Sequence, residues 1–296
     1  MAYRRLPQHD SRRPYQRTLF AALAERGYRE RDNLVVERRF AEGRLDRLPA
    51  LAAELVALKP DILFATGSQA TLEASKATRT IPIVFVAVSD PVGMGIIKAL
   101  RQPGTNATGL TNQAEEFHIK LLQLLKEAFP SASRVAVLHD PTNLPLVQML
   151  PALRQAAATL ALNLRVVEAG SPEDLTAAFK VLKSERPDVL YVLGTAFFFS
   201  QRRRIVELVN GQHHVAVYGL NEFADAGGLI SYSFSLIEQY RSAAVFIDKI
   251  LRGANPAELP VEQPTRFELV LNLKTAKAQG VTFPSAVLLR ADRVID

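Results

Sequence analysis

Between Asp61 and Gly95 the chain alternates twice between a short apolar run and a polar turn, and few folds accept that rhythm. Asp61-Ile62-Leu63-Phe64-Ala65, set off by Lys59-Pro60, suits a strand buried on both faces. Thr66-Gly67-Ser68 stops it and opens a helix: Gly67 permits a tight backbone, and Ser68 can cap the next amides. Ile81 to Val88 is a second buried strand, with Ser89-Asp90-Pro91-Val92-Gly93 directly after it. In an open parallel sheet, ligands sit at the carboxyl ends of the strands, where helix amides face outward. The two turns, with Gln69 beside the first, therefore form one half of a candidate small-molecule cleft. Each taken alone is equally an ordinary capped turn.

The rest of the chain repeats the pattern. A helix is expected over Pro14–Gly27, with Leu19, Phe20, Leu23 and Ala24 on its buried face, then a strand Leu34–Phe40 and a helix capped by Asp46. After Gly95 come a short helix Ile96–Arg101 and a strand Ala107–Thr111 that ends in Asn112. The long helix Glu115–Phe129 opens a second round. Its expected strands are Arg134–Leu138, Leu164–Glu168, Val189–Leu193, Val215–Val217, Leu229–Tyr232 and Arg266–Leu271. Helices follow at Leu146–Leu160, from Ser171 to Ser184, at Phe197–Val209, at Ser235–Gly253 and at Lys274–Gln279. Strands alternating with helices mean parallel sheets covered on both faces. About five strands precede Asn112 and about five follow, which predicts two doubly wound α/β lobes.

The second round also ends its strands in small polar groups: Asp140, Thr142 and Asn143 after His139, then Thr195, then Asn221-Glu222. Phe197, Phe198, Phe199, Tyr218, Phe223 and Tyr232 stand among them. An apolar pocket with a few placed polar groups is the usual build of a small-ligand site. His139 either lines the cleft or satisfies its own turn, and any one of the three phenylalanines either faces ligand or packs on the sheet.

Other chemistry is not legible. The sequence has no Walker A loop, no G-x-S-x-G, and Gly93-Met94-Gly95 reaches Lys98 where a dinucleotide fingerprint needs glycine. It has no cysteine, and His213-His214 are adjacent, so no metal site and no cofactor are expected. The net charge of +6 over 296 residues comes without an aromatic-interleaved basic stripe, so nucleic acid is not an expected partner. No apolar run approaches the roughly 18 residues that span a membrane. No apolar leader follows the basic start, so an exported protein whose leader lies outside this sequence and a cytoplasmic one both fit.

Several longer segments resemble a known family. They are Arg39–Leu55, Thr78–Gly93, Pro103–Asn112, Tyr218–Tyr232 with its Ala226-Gly227-Gly228-Leu229-Ile230-Ser231-Tyr232 core, and Pro260–Ala276. Together they are similar to the substrate-binding proteins of ABC transporters, in the branch that includes tryptophan and other aromatic amino acid binders. The resemblance implies a type I periplasmic-binding fold, with a ligand clamped between residues 1–113 plus 234–262 and residues 114–233 plus 263–296. It implies a non-enzymatic, monomeric, extracytoplasmic protein that docks on a membrane permease. Two departures stand out. Met1-Ala2-Tyr3-Arg4-Arg5-Leu6 is too polar for the family's opening central strand, so Asp61–Ala65 is expected to lose a sheet neighbour. Thr195-Ala196 occupy the place where relatives often carry an aspartate.

The expected ligand follows from these groups. Hydroxyls of Ser68, Ser89, Thr111, Thr142 and Thr195, with amides at helix starts, favour a carboxylate. Tyr218 and Tyr232, with one of Phe197–Phe199, offer flat apolar surface. A buried ammonium would need a partner, and Asp90, Asp140 and Glu222 are the candidates. The expectation is a small carboxylic acid with an apolar or aromatic side chain, with or without an amine.

Overall fold

The computed structural model describes residues 13–112 and 114–296. The polar segment Met1–Leu6 lies outside the described residues. The first round of elements is α1 (Arg13–Ala24), α2 (Leu48–Ala57), β1 (Leu63–Thr66), α3 (Ser68–Ala77), β2 (Ile83–Val88) and β3 (Ala107–Thr111). The strands form a parallel sheet in the order β1-β2-β3. Ile83, Val84, Phe85 and Val86 of β2 are all fully buried, because helices cover both sides of this strand. Burying such side chains is worth about 1.5–3 kcal/mol each, which makes β2 the anchor of the sheet.

The second round runs through α4 (Ala114–Ala128), β4 (Arg134–His139), α5 (Leu144–Thr159), β5 (Asn163–Glu168), α6 (Pro172–Glu185) and β6 (Val189–Val192). It continues with α7 (Ala196–Ser200), α8 (Arg202–Gly211), β7 (Ala216–Tyr218), α9 (Glu222–Asp225), β8 (Ile230–Phe234) and α10 (Leu236–Leu251). The tail adds β9 (Phe267–Asn272), α11 (Leu273–Gln279), α12 (Ser285–Leu289) and β10 (Arg293–Ile295). Seven strands make the second sheet, in the order β10-β9-β8-β7-β6-β4-β5. It is parallel except that β9 runs antiparallel to β8. One face packs on α4, α5 and the tail helices, and the other on α6 to α9.

Helix α10 leaves the second sheet at Phe234 and packs with α1 on the first. Tyr240, Ala243, Ala244 and Ile247 share a core there with Tyr15, Leu19, Val84 and Val86. Its start is set locally, as Ser235 Oγ accepts the Glu238 amide at 3.3 Å. Helix α6 begins as its sequence predicts: Ser171 Oγ takes the Asp174 amide at 3.2 Å, with Pro172 in the first turn.

Four local expectations change. Leu34–Phe40 forms no strand beyond a single bridge between Glu30 and Leu34, and Val35 is 89% exposed. Among the described residues β1 is paired on one side alone, so the first sheet has three strands rather than five. Ile96–Arg101 is not helical; the amides of Ile96 and Ile97 both turn back to the Pro91 carbonyl, which wraps the segment over the end of β2. The expected helix Phe197–Val209 breaks at Gln201 (φ −96°, ψ 6°), giving α7 and α8. The short, charged β10 went unread because three residues carry no usable periodicity.

Candidate functional site

The carboxyl ends of the two sheets face each other, and the facing turns touch. Gln69 Nε2 donates to the Thr142 carbonyl at 3.3 Å. A Cβ on Gly67 would stand 3.8 Å from the Ala196 Cβ, so the start of α3 abuts the start of α7. Gly67 sits at φ +85°, a region that glycine enters without strain. Further along, the Tyr15 hydroxyl donates to Glu222 Oε1 at 2.7 Å, and the Tyr15 and Phe199 rings meet edge-on at 6.0 Å. Ser68, Ser89, Thr111, Asp140, Asn143, Thr195 and Asn221 are all buried.

On the first sheet's side most polar side chains are satisfied by backbone groups or by Tyr240. Ser68 Oγ accepts the Ser89 amide at 3.1 Å, and Thr111 Oγ1 donates to the Val88 carbonyl at 2.7 Å. Thr66 Oγ1 and the Tyr240 hydroxyl are 2.8 Å apart. Asp90 Oδ1 accepts the Gly93 amide at 2.8 Å, closing its own turn behind the buried Pro91. What this wall still offers is backbone: the first amides of α3, Ser68 to Ala70, precede the first intrahelical bond, Thr71 N–H to Gly67. Asn112 adds a buried side-chain oxygen with no protein partner.

The second sheet's side is different. Asp140 Oδ1 accepts the Thr142 amide at 3.0 Å and its hydroxyl at 2.6 Å. The other oxygen, Oδ2, is buried and makes no hydrogen bond of good geometry within the protein, although the Thr195 hydroxyl is near enough to pull on the carboxyl. Asn143 Oδ1, both ring nitrogens of His139 and the Tyr218 hydroxyl are buried without a protein partner. Thr195 Oγ1 caps α7 by accepting the Phe198 amide at 3.1 Å. Burial pushes the Asp140 carboxyl above its ordinary value, against the opposing pull of Thr142, His139 and Thr195. Burial pushes Glu222 up as well, the Tyr15 hydrogen bond opposing it, and holds His139 below the usual histidine range.

The structure brings Thr66, Gly67, Ser68 and Gln69 together with Asp140, Thr142, Asn143 and Thr195, while Ser89 and Thr111 stand directly behind the first group. Phe197 packs into the core between the second sheet and α6–α8, and Tyr218 stacks on Phe223 at 4.8 Å in that same core. Asn221 is tied to Ser231 at 3.0 Å and to Glu268 at 3.4 Å. Tyr232 forms a three-ring cluster with Phe117 and Phe267, at 6.0 and 5.6 Å, and so packs on elements of the second sheet. Two residues at the junction, Tyr15 and Gln239, lie outside the candidates that the sequence offers. Tyr15 is one helical turn before Leu19 and so shares its buried face, a signal the sequence does carry. Phe199, one of the three candidate phenylalanines, is the one that meets Tyr15. Gln239 is a buried polar residue amid the apolar face of α10, with nothing around it to mark it.

Among the described residues no group of three His, Asp or Glu side chains could hold a metal, and no helix is long and apolar enough to cross a membrane.

Comparison with known proteins gives a consistent match. The family described as ABC transporter substrate binding protein matches residues 5–295. A curated tyrosine-binding protein of Clostridioides difficile (strain R20291) is 26% identical over 277 residues, 92% of this chain and 78% of that one. The structure of an ABC domain in complex with L-Trp from Streptococcus pneumonia superposes with a TM-score of 0.89 at 23% identity, covering 97% of this chain and 96% of the other. A ligand-free, open substrate-binding protein with adhesive properties from Clostridium difficile gives 0.69 at 22% identity, covering 98% and 97%. The shared architecture is the two-lobed type I periplasmic-binding fold.

Proposed function

The chain belongs to the ABC transporter substrate-binding protein family, and on that premise we propose that it is the extracytoplasmic solute-binding component of an ABC importer. Its ligand is a small carboxylic acid bearing an amine and an apolar or aromatic side chain. The ligand lies between residues 1–113 plus 234–262 and residues 114–233 plus 263–296, which close on it and present it to a membrane permease. The binding residues come from the turns at Thr66–Gln69, Ser89–Pro91, Thr111–Asn112, Asp140–Asn143 and Thr195.

One observation carries this reading: Asp140 Oδ2 is buried at the meeting of the two walls without a protein hydrogen bond of good geometry. A carboxylate so placed is costly unless a cation or donor meets it. Asp90 and Glu222, the other candidates for an ammonium, have no buried oxygen left without a partner among the described residues, and one oxygen of each is engaged, by the Gly93 amide and the Tyr15 hydroxyl. Across from Asp140, the open amides of α3 suit the ligand's carboxylate. The tyrosine-binding relative and the L-Trp complex support an aromatic amino acid. Closer likeness to the complex than to the open, ligand-free structure supports closure on the ligand.

Thermal shift and calorimetry with L-tyrosine, L-tryptophan and L-phenylalanine test the proposal. A ligand at about a hundred times its Kd adds roughly 2.7 kcal/mol of stability. A response to sugars or polyamines, with none to any amino or aromatic acid, overturns it.

A further inference from the structure

Strand β2 contains a conformation that its residue does not favour. Ala87 sits at φ +56°, in the left-handed region, one residue before the strand ends. The pairing of β2 with β3 shifts register between Phe85 and Val88, so Ala87 is the extra residue of a bulge. Such a backbone persists only where its surroundings hold it. Here the holding group comes from a different part of the chain. Gln239 of α10, 3% exposed, accepts the Ala87 amide on Oε1 at 2.8 Å and donates Nε2 to the Thr111 carbonyl at 3.2 Å. One side-chain amide thus replaces the β2–β3 ladder bond that the bulge removes.

The consequences reach the candidate site. Beyond the bulge, the Ser89 amide meets Ser68 Oγ, and the Val88 carbonyl accepts both the Asn112 amide and Thr111 Oγ1. The next residue of α10, Tyr240, bonds Thr66 Oγ1 at the end of β1. Residues 239 and 240 therefore touch the ends of all three strands of the first wall, directly after the segment where the chain crosses from β8 to α10.

We infer that Gln239 is a positioning residue for ligand binding, which holds the Ala87 bulge so that Ser89, Ser68 and Asn112 stand at the cleft in register with the opposite wall. The inference rests on the solute-binding reading, and its test separates the two. Gln239→Met keeps the volume and removes both hydrogen bonds. Ile247→Val, on the same face of α10, serves as the control for lost packing. In the ligand-free protein, amide exchange at Ser89 and Asn112 is expected to speed up at least tenfold in Q239M and to stay within twofold in I247V. For whichever of L-tyrosine, L-tryptophan or L-phenylalanine the unaltered protein binds, Q239M is expected to weaken affinity at least thirtyfold. Adding Ala87→Gly, which makes the positive φ accessible without support, is expected to recover at least half of that loss on a logarithmic scale. If Q239M does not fold, Gln239→Asn, one methylene too short to reach both partners, gives the same readouts. Unchanged exchange at Ser89 and Asn112, or a loss of affinity that A87G leaves untouched, overturns the inference. If the unaltered protein binds none of the three amino acids, the function proposal fails while the exchange measurement still decides on Gln239.

Discussion

The two walls of the cleft carry similar residues and handle them in opposite ways. On the first sheet, Ser68, Thr111 and Asp90 spend hydrogen bonds on backbone groups and Thr66 on Tyr240. On the second, Asp140, Asn143 and His139 keep buried polar atoms without a protein partner, as Tyr218 does in the core behind them. A buried polar group left alone costs about 1–3 kcal/mol, so the second wall stores instability that a ligand can relieve. On the proposed function, the first wall would supply shape and backbone donors and the second would read the ligand. Tyr15 bridges them, reaching from α1 to Glu222.

This contrast orders the expected effects of substitution. The largest belongs to Asp140→Asn. It keeps an oxygen for the Thr142 amide but removes the charge that holds an ammonium, so affinity for an amino acid is expected to fall by about 3 kcal/mol, roughly two orders of magnitude. The same variant is expected to raise the melting temperature of the ligand-free protein, because a desolvated carboxylate is gone. A drop in both affinity and stability would place Asp140 among the structural groups of the first wall instead.

The pH dependence has matching signs. Burial raises the Asp140 pKa above its ordinary 3.8. Between the unfolded and the raised folded value, the native state holds the proton longer than the unfolded chain does. Its contribution therefore makes the ligand-free protein less stable as pH rises through that window. Affinity for an amine-bearing ligand moves the other way, falling as pH drops through the raised value. Melting temperature and Kd followed together across the acidic range, with Asp140→Asn as reference, check both slopes.

Tyr15→Phe comes next, at about 1.5 kcal/mol, since it strips a hydrogen bond from a carboxylate between the lobes. Small-angle scattering at saturating ligand is expected to show a larger radius than the unaltered protein; an identical radius and Kd would mean that the bridge is incidental. Ser68→Ala is expected to cost about 1 kcal/mol, visible in denaturant midpoint, by leaving the Ser89 amide unpaired. Tyr218→Phe is the smallest and has the opposite sign: its buried hydroxyl has no protein partner, so the variant is expected to be unchanged or up to about 1 kcal/mol more stable. A large loss of stability there would mean that the second wall is internally satisfied after all.

Much of this was legible in advance, for a physical reason. Fully buried parallel strands are continuous apolar runs, and their ends must be punctuated by small polar residues, so β1, β2 and the turns at Thr66–Gln69 and Asp140–Asn143 stand out. Leu34–Phe40 misled because its β-branched residues match a strand, whereas pairing depends on a neighbour that the segment itself does not encode. The long helix through Phe197 misled because periodicity runs unbroken across Gln201, where the backbone departs from helical angles. The bulge at Ala87 has no sequence signal, since alanine, unlike glycine or asparagine, does not mark a positive φ. The roles of Gln239 and Tyr15 arise from contacts more than 120 residues apart: 152 for Gln239 with Ala87, 128 for Gln239 with Thr111 and 207 for Tyr15 with Glu222. No local pattern reports these.

The sharpest test of a reading wall opposite a shaping wall is a calorimetric cycle. It compares L-phenylalanine with 3-phenylpropionate, which differ only in the amine, on the unaltered protein and on Asp140→Asn. The account predicts a coupling energy of at least about 2 kcal/mol, with Asp140→Asn costing affinity for the amino acid and sparing or improving it for the amine-free acid. Equal losses for both ligands, or none for either, would contradict it.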